Sequence, residues 1–110
     1  MNETTKMDYI LRFINTDYES LSYIKNALQS APRSVRDYYK IPKNYVITYV
    51  ITESLDLEVI RAVTMNISAE KVDVFIGVRP KCDSDIIDIP DYVTRLLSIA
   101  GVKMTLSYTL

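Results

Sequence analysis

Apolar and polar residues change their spacing several times along this chain, and the changes mark its elements. Over 7–14, Tyr9, Leu11 and Phe13 alternate with Asp8, Ile10, Arg12 and Ile14, the period-two pattern of a strand. Thr16-Asp17-Tyr18-Glu19 follows with capping-box spacing, which predicts a helix from there to about Ala31. Its inner face is Leu21, Ile24, Ala27, Leu28 and Ala31, and Pro32 stops it. Residues 33–42 read as a loop or a short helical turn. Residues 44–52 are dense in β-branched and aromatic side chains and predict a second strand. Ser54 is placed to cap a second helix over 55–66, with Leu57, Ile60, Ala62, Val63 and Ile67 inward. A third strand over 71–79 points Val72, Val74, Ile76 and Val78 to one face, and Pro80 ends it.

An acidic loop over 81–88 comes next, with Ile86 to Ile89 able to pair briefly at a sheet edge. Pro90 suits the first position of a third helix that buries Val93, Leu96, Leu97 and Ala100, and Gly101 is its left-handed cap. In the final strand Val102, Met104, Leu106 and Tyr108 alternate with Lys103, Thr105, Ser107 and Thr109. The order is therefore β-α-β-α-β-α-β, without linker or repeat. It predicts one domain over 1–110 with only 1–6 flexible. The last strand decides between architectures, because a central strand of a doubly wound sheet is apolar on both faces and this one is two-sided. The expectation is an α+β two-layer sandwich: a mixed four-stranded sheet with helices mainly on one face, a ferredoxin-like variant. Leu11, Phe13, Leu28, Val74, Ile76, Leu97, Met104 and Leu106 are expected among its buried residues.

Composition narrows the class. The chain has 110 residues, 48% hydrophobic and 25% charged, enough for one core without staples. Its net charge of −1 disfavours generic nucleic acid and anionic membranes, which need a basic field. The charge is uneven, however. Arg33, Arg36, Lys40 and Lys43 stand against Asp37 alone, while Asp83, Asp85, Asp88 and Asp91 have no base among them. No apolar run is long enough to span a bilayer. Residues 1–8 are polar and unlike a secretory leader, and the single cysteine, Cys82, fits a reducing compartment. The expected location is cytoplasmic.

Absences remove whole classes of chemistry. Without histidine there is no Ser-His or Cys-His nucleophile and no imidazole ligand. One cysteine cannot build a zinc-thiolate site, and two glycines cannot build a phosphate loop or a dinucleotide fingerprint. No catalytic set, cofactor or metal is expected. Asp83, Asp85 and Asp88 have short spacing suited to a hard cation, but Ile87 and Thr94 stand where further ligands belong and no turn glycine is present. A solvated acidic loop is the simpler reading. Tyr39 and Lys43 have the spacing of a reductase proton donor, but the nicotinamide turn is missing. Arg33, Arg36, Tyr38, Tyr39, Lys40, Lys43 and Tyr45 form a basic, tyrosine-interleaved stretch. It is either a recognition surface, by contact area and polar anchors, or sheet-end packing with solvated bases. Phe75 falls on the polar face of its strand, yet K-V-D-V-F-I-G-V-R lacks the aromatic signature of RNA-recognition modules, so a packing role is expected.

From about Tyr45 onward, a strand, a helix with Leu-Asp-Leu near its start, a strand, an acidic loop and a closing helix–Gly–strand resemble small bacterial domains of unknown function. In size, acidity and lack of catalytic sets the chain is similar to immunity proteins of bacterial toxin systems and to small phage-encoded inhibitors. That resemblance implies a non-enzymatic protein that covers a protein target, either a toxin or a subunit of a defence complex. Asp83, Asp85, Asp88 and Asp91 would meet a basic toxin, with Arg33, Arg36, Tyr38, Tyr39, Lys40 and Lys43 as a second contact surface. A nucleic-acid module is the alternative through the basic stretch, though nucleic acid is the less expected partner. A homodimer is left open.

Overall fold

The chain's computed structural model describes residues 6–79 and 88–108. In chain order the elements are β1 (Lys6–Thr16), α1 (Tyr18–Leu28), β2 (Ser34–Asp37), β3 (Tyr45–Val50), α2 (Leu57–Asn66), β4 (Ala69–Arg79), α3 (Asp91–Ala100) and β5 (Lys103–Tyr108). The described strands form one five-stranded mixed sheet in the order β2-β3-β1-β4-β5. β1 is central and antiparallel to both neighbours, with Leu11 opposite Tyr49 on one side and Val74 on the other. The first six elements run β-α-β-β-α-β, with β3 paired between β2 and β1. α3 and β5 are added beyond them, and β5 runs parallel to β4.

All three helices bury their apolar stripes against one face of the sheet. Leu21, Ile24, Ile60, Val63, Val93 and Leu96 from the helices join Leu11, Phe13, Ile47, Tyr49, Val74, Ile76 and Val78 from the strands in one core. Phe13 and Tyr49 meet edge to face, 6.5 Å between ring centres, the geometry their quadrupoles favour.

Several expectations need correction. The sheet has five strands, because residues 33–42 contain β2. Ser34–Asp37 carries little strand propensity of its own and is held by pairing to β3, with Val35 opposite Ile47. The Arg33 N–H also donates to the Thr48 carbonyl at 2.7 Å. Neighbours on β3 here override local preference. α1 is capped by Asp17, not Thr16: Asp17 Oδ1 accepts from the Ser20 N–H at 2.7 Å. Thr16 stays in the sheet opposite Tyr45 and Ala69, fully buried. The helix ends at Leu28, where Gln29 turns left-handed at φ 54°. α2 is capped by Asp56, which accepts from the Glu58 and Val59 N–H groups, while the Ser54 hydroxyl bonds Thr52 instead. Pro90 sits one position before the expected one, at the cap of α3. Gly101 does close α3 left-handed, at φ 65°.

Burial also differs at the C-terminal edge. Met104 and Leu106 lie on the helix side, opposite Val74 and Ile76, but are 47% and 52% exposed. β5 is the edge strand of the described sheet, where these two side chains are left half open. Leu28 and Leu97 are half-buried against the core rather than inside it. No described helix is long and apolar enough to cross a membrane.

Candidate binding surface

Because the described helices share one side, the other side of the sheet is bare of helices among the described residues. Strand alternation selects what stands on it. β1 contributes Asp8, Ile10, Arg12 and Ile14. β3 contributes Val46, Thr48 and Val50, and β2 contributes Ser34 and Arg36. β4 adds Lys71, Asp73, Phe75, Gly77 and Arg79, and β5 adds Lys103, Thr105 and Ser107.

A buried ion pair organises this face. Asp73 is fully buried and receives both arms of Arg12, Nε to Oδ1 at 2.8 Å and Nη2 to Oδ2 at 2.6 Å. Thr105 Oγ1 donates to Oδ2 at 2.6 Å, and Lys71 Nζ approaches to 3.5 Å. Burial alone pushes the Asp73 carboxyl up. The Arg12 and Thr105 hydrogen bonds, with the charges of Arg12 and Lys71, outweigh it and hold the group below the usual carboxylate range. The same Arg12 guanidinium lies 4.6 Å from the Phe75 ring centre, a cation–π contact. Arg12, Asp73, Phe75 and Thr105 therefore lock together across three strands. The pairing was not foreseen from the sequence, although both charged residues fall on polar positions of alternating strands. What the sequence lacks is the register that sets Arg12 opposite Asp73.

Around this cluster, Arg79 pairs with Asp8 at 3.1 Å. The Ser34 and Thr48 hydroxyls are bonded at 2.7 Å. Ile10 is buried between its neighbours, Val46 is half-buried and Val50 is exposed. Of the described strand side chains on this face, Arg12, Arg36, Lys71, Arg79 and Lys103 are cations and only Asp8 and Asp73 are anions. The chain as a whole carries −1, so positive charge is concentrated here.

The basic stretch divides. Arg33 and Arg36 are exposed at the β2 margin of the bare face. Tyr38 turns inward: it is buried, and its hydroxyl lies 3.5 Å from Glu70 Oε2. Tyr39 is exposed, its ring 5.4 Å from that of Tyr38 and 5.5 Å from Lys40 Nζ. Lys43, exposed, takes a left-handed φ of 67° in the turn before β3. The seven residues do not form one patch. Phe75 is half-buried on the face opposite the helices, beneath Arg12. Asp83 and Asp85 lie outside the described residues. Asp88 is exposed near Tyr9, whose hydroxyl is shifted up first by burial and then by Tyr92 and Asp88. Asp91 opens α3, exposed, where it complements the helix dipole. No three carboxylate or thiol side chains converge as metal ligands among the described residues.

A cavity of about 600 Å³ lies between the end of α1, the end of β3 and the start of α2. Asp56 caps α2 and Ser54 bonds Thr52, while the buried Tyr49 hydroxyl on its wall has no hydrogen-bond partner among the described residues and Arg33 lines this cavity as well as the sheet face. The arrangement can bind, but no described group on either surface is paired with a base or activated as a nucleophile. Compared with known proteins, the chain matches no protein-family model, no curated relative and no solved structure.

Proposed function

We propose that this chain is a non-enzymatic binding protein that inhibits a protein target by laying the bare face of its sheet upon it. One observation carries the reading: every described helix packs on a single side, leaving a face with an aliphatic and aromatic centre ringed by arginines and lysines. Val46, Val50 and Phe75, with Arg12 over Phe75, supply the centre, and Arg36, Lys71, Arg79 and Lys103 the rim. Apolar cores with polar rims, enriched in arginine and aromatic residues, are the anatomy of protein interfaces. A bacterial toxin neutralised by its immunity protein and a host-defence subunit blocked by a phage inhibitor are both targets of this kind. Asp88 and Asp91 would form a separate acidic contact.

The test is capture from the native host with immobilised protein, followed by measured affinity for the captured target. Val50 is exposed, so Val50→Asp leaves the core intact while placing a charge in the centre of the face. It is expected to abolish capture, whereas Lys25→Glu on the outer side of α1 retains it. Equal capture by Val50→Asp would show that the bare face is not the interface.

A further inference from the structure

We propose that the bare face recognises an acidic protein segment, and that the cleft between β2 and β1 is the subsite that anchors its carboxylate. This rests on the binding reading above and adds the chemistry of the partner. The cleft, about 270 Å³, is lined by Arg12, Arg33 and Arg36 together with Ser34, Thr48 and Phe75, and by Asp8, whose carboxylate is paired with Arg79 at 3.1 Å. Arg12 is spent on Asp73. Arg33 and Arg36 are exposed, and no side-chain hydrogen bond or salt bridge among the described residues engages either of them. Two forked guanidinium groups at one edge of a cleft match a carboxylate in geometry and charge. The Ser34 and Thr48 hydroxyls, 2.7 Å apart, form a polar floor between them and the sheet.

The rest of the face selects the class of anion. Nucleic acid is gripped by aromatic platforms on which bases stack. Here β3 offers Val46 and Val50, and the one aromatic among the described strand residues of the face, Phe75, is already overlaid by the Arg12 guanidinium. Aliphatic side chains beside free arginines suit a polypeptide that alternates acidic and apolar residues. The excess of cations on this face, in a chain of charge −1, gives such a segment its electrostatic match and directs its approach.

The experiment titrates isotope-labelled full-length protein with a short peptide alternating glutamate and leucine. Parallel titrations use an alternating lysine–leucine peptide, an oligothymidylate and inorganic phosphate. The acidic peptide is expected to shift the amide signals of Ser34, Arg36 and Thr48. Its affinity is expected to fall roughly tenfold or more in the double variant Arg33→Glu/Arg36→Glu. Both residues are exposed, so the fold is kept, which circular dichroism checks. Arg33→Lys/Arg36→Lys keeps charge but loses the fork, and should fall in between. Tighter binding of oligothymidylate, or phosphate competing at the same signals as strongly as the peptide, would overturn the proposal in favour of nucleic acid or of an adventitious ion only. An inert acidic peptide, with target capture still lost in Val50→Asp, would overturn the acidic-segment proposal and leave the binding reading standing. If neither Val50→Asp nor the double variant affects capture, both fall.

Discussion

Replacing Arg12 by methionine should unmask the cost of burying Asp73. Methionine keeps much of the arginine stem and its cover over Phe75, but removes both hydrogen bonds to the carboxylate. Asp73 is then fully buried with Thr105 as its one close donor and Lys71 at 3.5 Å. Breaking a buried pair from one side costs about 3–5 kcal/mol. Arg12 is 24% exposed and Lys71 remains, so the low end, about 3 kcal/mol at pH 7, is expected. The pH dependence gives a sharper signature. In the native protein the Asp73 carboxyl titrates below its unfolded value. Its contribution is therefore fully present above the unfolded pKa and is lost as pH falls through the folded one. In Arg12→Met burial dominates and the folded pKa rises above the unfolded value. Protonation on folding then relieves the penalty, and the gap to the native protein narrows as pH falls from 7 towards about 4. Urea unfolding followed by circular dichroism at both pH values measures this. A loss under about 1 kcal/mol at pH 7, or a gap independent of pH, would refute the account of Asp73 as a carboxylate held charged by Arg12.

Three further outcomes follow from the core and the caps. Leu96→Ala removes a fully buried side chain and should cost about 2–5 kcal/mol, whereas Leu97→Ala, half-buried, should cost less; calorimetry of the pair checks the order. Asp17→Ala, which frees the Ser20 N–H, should cost about 1 kcal/mol in denaturant melts, and Thr16→Val should not reproduce that loss. Gly101→Ala meets open space but is forced to φ 65°, so it should lose about 1 kcal/mol through backbone strain alone and lower the midpoint of thermal unfolding.

Much of the fold was legible because alternation is a local signal. Tyr9-Leu11-Phe13 and Val72-Val74-Ile76-Val78 could face one core in only one way, and Gly101 could stop a helix. β2 was not legible, since four mostly polar residues become a strand only when Thr48 and Ile47 lie alongside. Thr16 and Asp17 are both good caps, and the choice depended on Thr16 being held between Tyr45 and Ala69. Met104 and Leu106 alternate as core residues do, but whether a helix covers them is a property of strand order. For the binding surface, the polar face of each strand and the gathering of helices on one side were legible, whereas the register that sets Arg12 opposite Asp73 was not. Reading Arg33 to Tyr45 as one patch treated sequence neighbours as spatial neighbours. β2 sends Arg36 to the sheet face, and the turn after it sends Tyr38 inward.

The central position of β1 also governs how the chain comes together in time. Arg12 and Asp73 are neighbours in the sheet but 61 positions apart in the chain. Translation at about 5–20 residues per second separates their synthesis by on the order of 3–12 s. During that interval β1, apolar on its inner face, has no partner on the side that β4 will occupy, and it gains β3 only after Val50 has been made. Folding dominated by such distant pairings is slow. The nascent chain therefore passes through a stage in which the strand at the centre of its sheet is still unpaired on one side. Aggregation or chaperone capture on the ribosome should concentrate there, and it should end once β4 is complete.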